Sequence, residues 1–396
     1  MKILVLSFYY RPDLCAGSFR TTPLVEAMAR AMPEGSSIDV ITTQPNRYRS
    51  FEAGAPATEQ SGNVTITRVA LPPHQSGMLD QSKAFIAFAR FATRAVKGQH
   101  YDLVFATSSR LMTAALGAWI ARQKSARLYL DLRDIFADTI KDVVAKPVAR
   151  LTKPFLTLLE RWTVNRADKV NLVSAGFAQY FKSRYPHQRF SFFTNGIDDE
   201  FMTAGDAELP RPRDDADHRV RVVYAGNIGE GQGLHVILPP LAQQLATRAR
   251  FQIVGDGGRL PELERALRDA GVTNVELCAP VARAALLELY RGADVLFLHL
   301  NDYEAFEKVL PSKIFEYAAL GKPMWAGVSG YAAAFIRSEV ANSAVFPPCN
   351  VSEAVRAFER LTIQDAPRAD FLAKYSRASL SGQLSLDVLA VASAPR

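Results

Sequence analysis

Twice along this chain of 396 residues, short apolar runs alternate with stretches of helical spacing, and a polar break separates the two series. Residues 2–9 form a continuous apolar run, the pattern of a strand buried on both faces. A loop containing Gly17 is expected over 11–19, then an amphipathic helix over 22–32 and a strand over 37–42. Strand, loop, helix, strand is the repeating unit of a parallel sheet, because parallel neighbours need a long crossover. Further strands are predicted at 64–69, 102–106, 128–132, 169–173 and 190–194, with helices at 111–123 and 153–167. Residues 202–219 are rich in Pro, Asp and Arg, lack periodicity, and read as a linker. The rhythm then restarts, with strands at 221–225, 250–254, 275–277 and 294–300 and helices at 234–245, 259–270 and 283–291. Closing helices are expected over 371–389.

A chain of this length exceeds one comfortable core, so the two series imply two domains. The expected fold class is α/β, with two Rossmann-like domains facing across a central cleft. Residues 1–200 form the first, 201–219 the linker and 220–375 the second, and 376–396 a closing helix that returns to the first domain. Ligands of such sheets sit beyond the carboxyl ends of the strands. No apolar run approaches the ~20 residues of a membrane span. Residues 1–10 imitate a signal peptide but run into Arg11-Pro12-Asp13 with no cleavage site, so a buried strand and a cytoplasmic protein are expected. Cys15, Cys278 and Cys349 form no disulfide or metal pattern.

Charge is uneven: residues 1–200 hold 26 Lys and Arg against 17 Asp and Glu, whereas 201–396 hold 21 against 23. A basic first half suits an anionic substrate or membrane surface. The segment from Lys83 to Lys97 has four cations, no acid and interleaved Phe85, Phe88 and Phe91; that from Lys141 to Lys169 has seven cations against three acids. Both suit a membrane interface, or equally a core-facing helix with solvated lysines. No aromatic-plus-basic nucleic-acid signature is present, so nucleic acid is not an expected partner.

The densest candidate site is Lys308 to Pro323, where Pro311 and Ser312 interrupt an apolar run and a helix follows, closed by Gly321 and Pro323. Lys308, Ser312, Lys313 and Glu316 gather at its start, where backbone N–H groups and two ammonium groups suit a diphosphate and a carboxylate suits a ribose diol. A helix with a solvated charged face gives the same pattern. Glycine-rich loops follow two strands, at Gly226-Asn227-Ile228-Gly229-Glu230-Gly231-Gln232-Gly233 and at Gly255-Asp256-Gly257-Gly258; each suits either a phosphate or a tight turn. Asp131, Arg133 and Asp134 end a strand, with Asp131 and Arg133 expected on one face, as a substrate site or a structural ion pair. Asp215-Ala216-Asp217 has the spacing of a metal motif but lies in the linker, and the six histidines show no metal spacing, so no metal site is expected. His299, at a strand end, is the one histidine placed near the expected cleft.

These landmarks, in this order, resemble glycosyltransferase family 4, retaining enzymes of the GT-B fold. The resemblance is carried by residues 2–20, by Ala167-Asp168 through Val173-Ser174, and by Asn195-Gly196-Ile197-Asp198. Gly255-Asp256-Gly257, Pro311-Ser312-Lys313 with Glu316-Tyr317, and Gly321-Lys322-Pro323 complete it over some 320 residues. The family signature pairs two glutamates eight positions apart; Glu316 fits the second, and Lys308 stands at the first. The Arg and Lys that usually hold the diphosphate appear here as Asn227 and Gln232, so Lys308 and Lys313 are expected to supply the missing charge. The version present resembles a branch acting in O-antigen, capsule and exopolysaccharide synthesis. The resemblance implies a nucleoside diphosphate sugar donor, no cofactor or metal, and a lipid-linked saccharide acceptor at the inner membrane face. It places Gly17, Lys308 and Lys313 on phosphate, Glu316 on ribose, and Arg133 or Asp134 near the donor sugar or acceptor. Two rivals remain: a nucleotide-sugar 2-epimerase of the same fold, for which only His299 offers a proton-transfer group, and a non-catalytic sugar-nucleotide-binding subunit.

Overall fold

The computed structural model describes every residue except 14, 46–53, 72–77, 109–110, 136–145, 203–216 and 396, and the side chains of 78–81 and 146–153 are likewise not described. The chain divides into two units, Met1–Asn195 with Arg377–Arg396, and Gly196–Ser376. The first unit carries β1 (Lys2–Leu6), α1 (Ala16–Ala31), β2 (Ser37–Thr43), β3 (Thr58–Ser61), β4 (Val64–Val69), α2 (Met78–Ala95), β5 (Leu103–Ser108) and α3 (Leu111–Gln123). It continues with β6 (Arg127–Leu132), α4 (Lys146–Arg166), β7 (Lys169–Leu172), α5 (Ala178–Arg184) and β8 (Phe190–Ser191). Its sheet runs β3-β4-β2-β1-β5-β6-β7-β8, parallel throughout except where β3 meets β4. Strand direction of travel therefore reverses between β1 and β5, the position where such sheets take ligands.

Strand alternation assigns the two sheet faces. Phe105 and Tyr129 join the core beneath α1 and the C-terminal helix Arg377–Ser393. Their neighbours Ala106 and Leu128 face α3 instead, where a Cβ on Gly117 would stand 2.5 Å from Ala106 Cβ. The C-terminal helix thus belongs to the first unit, as expected. Lys169 Nζ, Tyr129 Oη and Ser191 Oγ all donate to the Asp387 carboxylate and fix it there.

The second unit carries α6 (Asp199–Met202), β9 (Val220–Ala225), α7 (Leu234–Gln244), β10 (Ala249–Val254), α8 (Leu260–Asp269), β11 (Val275–Cys278), α9 (Arg283–Arg291) and β12 (Val295–His299). Then follow a 3-10 turn Glu304–Lys308, α10 (Lys313–Ala319), β13 (Met324–Gly327), α11 (Gly330–Glu339), β14 (Ser343–Phe346), α12 (Val351–Glu359) and α13 (Ala369–Tyr375). All six strands are parallel in the order β11-β10-β9-β12-β13-β14, which is the doubly wound order with its reversal between β9 and β12. Residues 196–200, expected to end the first domain, belong to this unit: Arg283 pairs with Asp198 and Glu200, and Phe201, expected to open the linker, is buried; residues 203–216 of the expected linker lie outside the described residues.

Two readings need correction. The loop expected over 11–19 is cut short, since α1 begins at Ala16 and Gly17 lies buried in its first turn. Strands β13 and β14 and helices α11 and α12 had no counterpart in the predicted elements; the strands are four-residue runs too short for periodicity to register. The helix expected over 234–245 is present as α7, with Pro239 and Pro240 inside it and Pro239 packed in the core.

Candidate functional site

The carboxyl end of the second sheet is built from two loops laid against each other. Gly226 follows β9 and Gly255 follows β10. A Cβ on Gly255 would stand 1.8 Å from Gly226 O, so no larger residue fits without moving a backbone. Ile228 N donates to Asp256 O at 2.8 Å and Arg259 N to Ile228 O at 2.9 Å, which locks the pair. Asp256 turns its carboxylate back on Gly257 N at 2.7 Å and serves the turn.

The end of β12 shapes the first loop. Asn301 Nδ2 donates to Glu230 O at 2.9 Å, Asn301 N to Gly231 O at 2.9 Å, and His299 Nδ1 to Gln232 O at 2.7 Å. Three successive carbonyls are therefore drawn toward β12. His299 Nε2 accepts from Cys349 N at 3.0 Å, so both ring nitrogens are engaged and the neutral Nδ1–H tautomer is the one that satisfies both bonds. Burial pulls its pKa down to about 4, against the opposing pull of the Gln232 carbonyl. Room for the ring exists because its partner on β13 is Gly327, where a Cβ would meet His299 Cδ2 at 2.3 Å. His299 is thus a buried brace. That occupies the one proton-transfer candidate an epimerase would have drawn on.

Asn227 and Gln232 brace each other. Asn227 Nδ2 donates to Gln232 Oε1 at 2.8 Å, the same oxygen takes Gly229 N at 3.3 Å, and Tyr224 Oη donates to Asn227 O at 2.7 Å. Glu230 is held by Tyr303 Oη and Arg259 Nε, and these bonds, Tyr303's foremost, hold its carboxyl below the usual range. Sequence reasoning missed Asn301, Tyr303 and Cys349 here and took Arg259 only as the end of the second glycine loop; a polar His-Leu-Asn at the end of an apolar strand is the signal that could have found Asn301.

Lys313 opens α10 and reaches this loop. Its Cε lies 2.6 Å from where a Cβ on Gly226 would be, so a glycine there leaves the channel for the lysine arm. The ammonium stands 3.4 Å from Tyr290 Oη and 3.9 Å from Glu316 Oε2. Tyr224, Tyr290 and Tyr317 surround it, all buried, and burial pushes each phenol well above its ordinary value, so they remain neutral. The structure brings together Gly226, Lys313 and Glu316, with Asn227 and Gln232 on the same loop. Lys308 closes the 3-10 turn five residues ahead of α10, and Pro311 and Ser312 join them, Ser312 as the helix N-cap without a capping side-chain bond.

In the first unit, Asp131 and Arg133 do not pair as a strand-end couple. Asp131 is fully buried and takes Arg20 Nε and Nη2 at 2.8 Å each, with Asn171 Nδ2 at 2.8 Å and Thr107 Oγ1 at 3.1 Å. Burial alone would raise its pKa; Arg20 more than reverses that and holds it below the usual range. Arg20 also donates to Phe193 O and Thr194 O, both at 2.8 Å, so this couple is structural and anchors the chain leaving β8. Arg133 instead lies over Gly17, where a Cβ would meet its Nη1 at 3.2 Å. Asp134 follows, half-buried, and burial pushes its carboxyl up to about 6 against the pull of Arg133. Gly17, Arg133 and Asp134 therefore share the carboxyl edge of the first sheet.

Against known proteins, a family model described as a glycosyl transferase 4-like domain matches residues 18–196, and one described as glycosyl transferases group 1 matches residues 219–364. The chain is 26% identical over 337 residues to the protein of Escherichia coli (strain K12) named as colanic acid biosynthesis glycosyl transferase WcaI, covering 81% of this chain and 82% of that one. Among solved structures, WaaG, a glycosyltransferase involved in lipopolysaccharide biosynthesis, is similar at TM-score 0.66 and 15% identity over 98% of this chain and 97% of that chain. Sucrose-phosphate synthase from Thermosynechococcus elongatus is similar at TM-score 0.69 and 15% identity over 99% and 96%. Anabaena HepE, in complex with UDP, is similar at TM-score 0.61 and 16% identity over 99% and 97%. With both domain models matched in order on two doubly wound sheets, the chain belongs to the family 4 glycosyltransferases of the GT-B fold and resembles those of surface-polysaccharide biosynthesis.

Proposed function

We propose that this glycosyltransferase moves a sugar from a nucleoside diphosphate donor, with retention at the anomeric carbon, to a lipid-linked saccharide at the inner membrane face. The observation that carries the donor assignment is the Lys313 arm lying across Gly226, with Glu316 one turn further along α10. Lys313 and Lys308 take the diphosphate charge that the family's usual Arg and Lys would hold, with Gly17 offering backbone N–H groups at the start of α1 and no metal assigned a part. Glu316 accepts from the ribose hydroxyls, and Arg133 and Asp134 bind hydroxyls of the donor sugar or acceptor. Stabilising the departing diphosphate lowers the barrier most directly, because its charge grows in the transition state.

The test is a thermal-shift panel of nucleoside diphosphates and their sugars, with UDP tried first because one similar structure holds it. A ligand at a hundredfold over its Kd stabilises by about 2.7 kcal/mol. One base is expected to raise the melting temperature, and Lys313→Ala and Glu316→Ala to reduce that rise. A full response in both variants would remove the donor site from α10. Product stereochemistry by NMR checks retention, and an inverted anomer would refute it.

A further inference from the structure

Tyr290 is the one residue of α9 that lies fully buried, and none of the donor contacts above falls to it. Half-buried Leu286 and Tyr290 stand four positions apart, so one face of α9 turns both inward. The Tyr290 ring meets Tyr317 edge-on with centroids 5.1 Å apart and packs against Phe201 at 6.4 Å, which leaves its phenol oxygen little freedom. That oxygen accepts from Lys313 Nζ at 3.4 Å, and the ammonium stands 6.0 Å from the Tyr317 ring centroid. Glu316 holds its carboxylate 3.9 Å from the same nitrogen, beyond hydrogen-bond reach. Positions i and i+3 of a helix are neighbours, and elsewhere in the second unit such pairs close: Glu288 meets Arg291 at 2.7 Å and Glu353 meets Arg356 at 2.6 Å. Lys313 and Glu316 are only 24% and 23% exposed, where opposite charges are screened less than at the open surface, and still their pair stands open.

We propose that Tyr290 is a positioning residue that holds Lys313 off Glu316, so that the ammonium faces the diphosphate and the carboxylate faces the ribose instead of each other. The proposal rests on the donor reading above and adds the residue that stops its two charged groups from neutralising one another. A lysine arm is flexible enough to swing onto a carboxylate one turn away, and does so unless another partner holds its end. Gly226 gives the arm its channel, with Cε 2.6 Å from where a Cβ would stand, and the Tyr290 hydroxyl receives its tip. The role calls for a neutral acceptor. A carboxylate at this position would take the ammonium away from the phosphate, and an aliphatic side chain would leave it to Glu316. Burial keeps the phenol neutral by pushing its pKa well above the ordinary value. Nothing in the sequence marked this residue, since it lies 23 positions before Lys313 and reads as one more core aromatic.

The experiment has two arms. A ligand-free crystal structure of Tyr290→Phe, which removes one oxygen and keeps the ring, is expected to show Lys313 Nζ closed on Glu316 at about 2.8 Å. Calorimetry then measures UDP, or the diphosphate of the base that the thermal-shift panel selects, on wild type, Tyr290→Phe, Lys313→Met and the double variant. Tyr290→Phe should weaken binding by about tenfold and Lys313→Met by about thirtyfold. Added to Lys313→Met, Tyr290→Phe should change affinity by less than about twofold, because it acts only through the lysine. The matching nucleoside, which carries no phosphate, should bind the double variant more tightly than Tyr290→Phe, because losing the lysine frees Glu316. As a control, Tyr101→Phe removes a buried phenol of the first unit that donates to Asp39 at 2.7 Å, and should bind within about twofold of wild type. Melting curves check the fold of every variant. The proposal is overturned if Lys313 keeps its place in Tyr290→Phe, if Tyr290→Phe lowers affinity as much with Lys313→Met as without it, or if the nucleoside binds the double variant no better. A wild type that binds no nucleoside diphosphate, or a Lys313→Met variant that binds as tightly as wild type, refutes the donor reading itself and overturns the proposal with it, a result distinct from the other three.

Discussion

Replacing His299 tests whether a buried neutral imidazole shapes the loop after β9. In the folded protein its pKa is about 4, whereas an unfolded histidine titrates near 6.5. Between those values the unfolded chain binds the extra proton and the folded chain does not, so stability rises with pH across the window. The contribution of His299 is present in full above about pH 6.5 and is lost as pH falls toward 4. Linkage puts the loss between pH 7 and pH 5 at about 2 kcal/mol. His299→Asn keeps a donor for Gln232 O and loses the acceptor for Cys349 N; His299→Leu loses both. Each orphaned backbone group costs about 1–3 kcal/mol. At pH 7 the expected order of stability is wild type, then Asn, then Leu, read as urea midpoints by circular dichroism. Comparing wild type with each variant at pH 7 and pH 5 cancels the other titrating groups, and the gap should shrink by about 2 kcal/mol at the lower pH. A gap that does not change with pH, or a Leu variant as stable as the Asn variant, would refute the reasoning.

Two other residues give sharp expectations. Asp131→Asn leaves the buried Arg20 guanidinium without its countercharge and should cost about 3–5 kcal/mol in unfolding free energy; because the carboxyl is held below its usual range, that stability is present above about pH 4 and disappears in acid, and a variant within error of wild type would return Asp131 to the list of substrate ligands. Asp134, raised to about 6, should give kcat/KM a limb rising through that pH as the carboxylate forms, and Asp134→Asn should lose the limb and about ten- to a hundredfold in rate, whereas an unchanged profile would remove it from the acceptor or donor-sugar site.

Alternation of apolar runs with helical spacing determined the fold class, since a strand buried on both faces and a crossover helix are local patterns with few parallel-sheet alternatives. The motif order was legible for the same reason, so Lys313, Glu316 and the two glycine loops could be named before any contact was known. What residues do for one another was not legible. Asn227 and Gln232, standing where a cationic clamp was expected, turn out to hold each other. Asp131, read with Arg133 two positions on, pairs with Arg20 across 111 positions. His299 braces Gln232 at 67 positions' distance and takes Cys349 N at 50. Side-chain hydrogen bonds of that reach depend on which strands the topology makes neighbours, and a window along the chain holds no record of it. Sequence thus fixes which groups stand at the carboxyl ends of the strands; the tertiary structure decides which of them are consumed as braces and which keep a face toward a ligand.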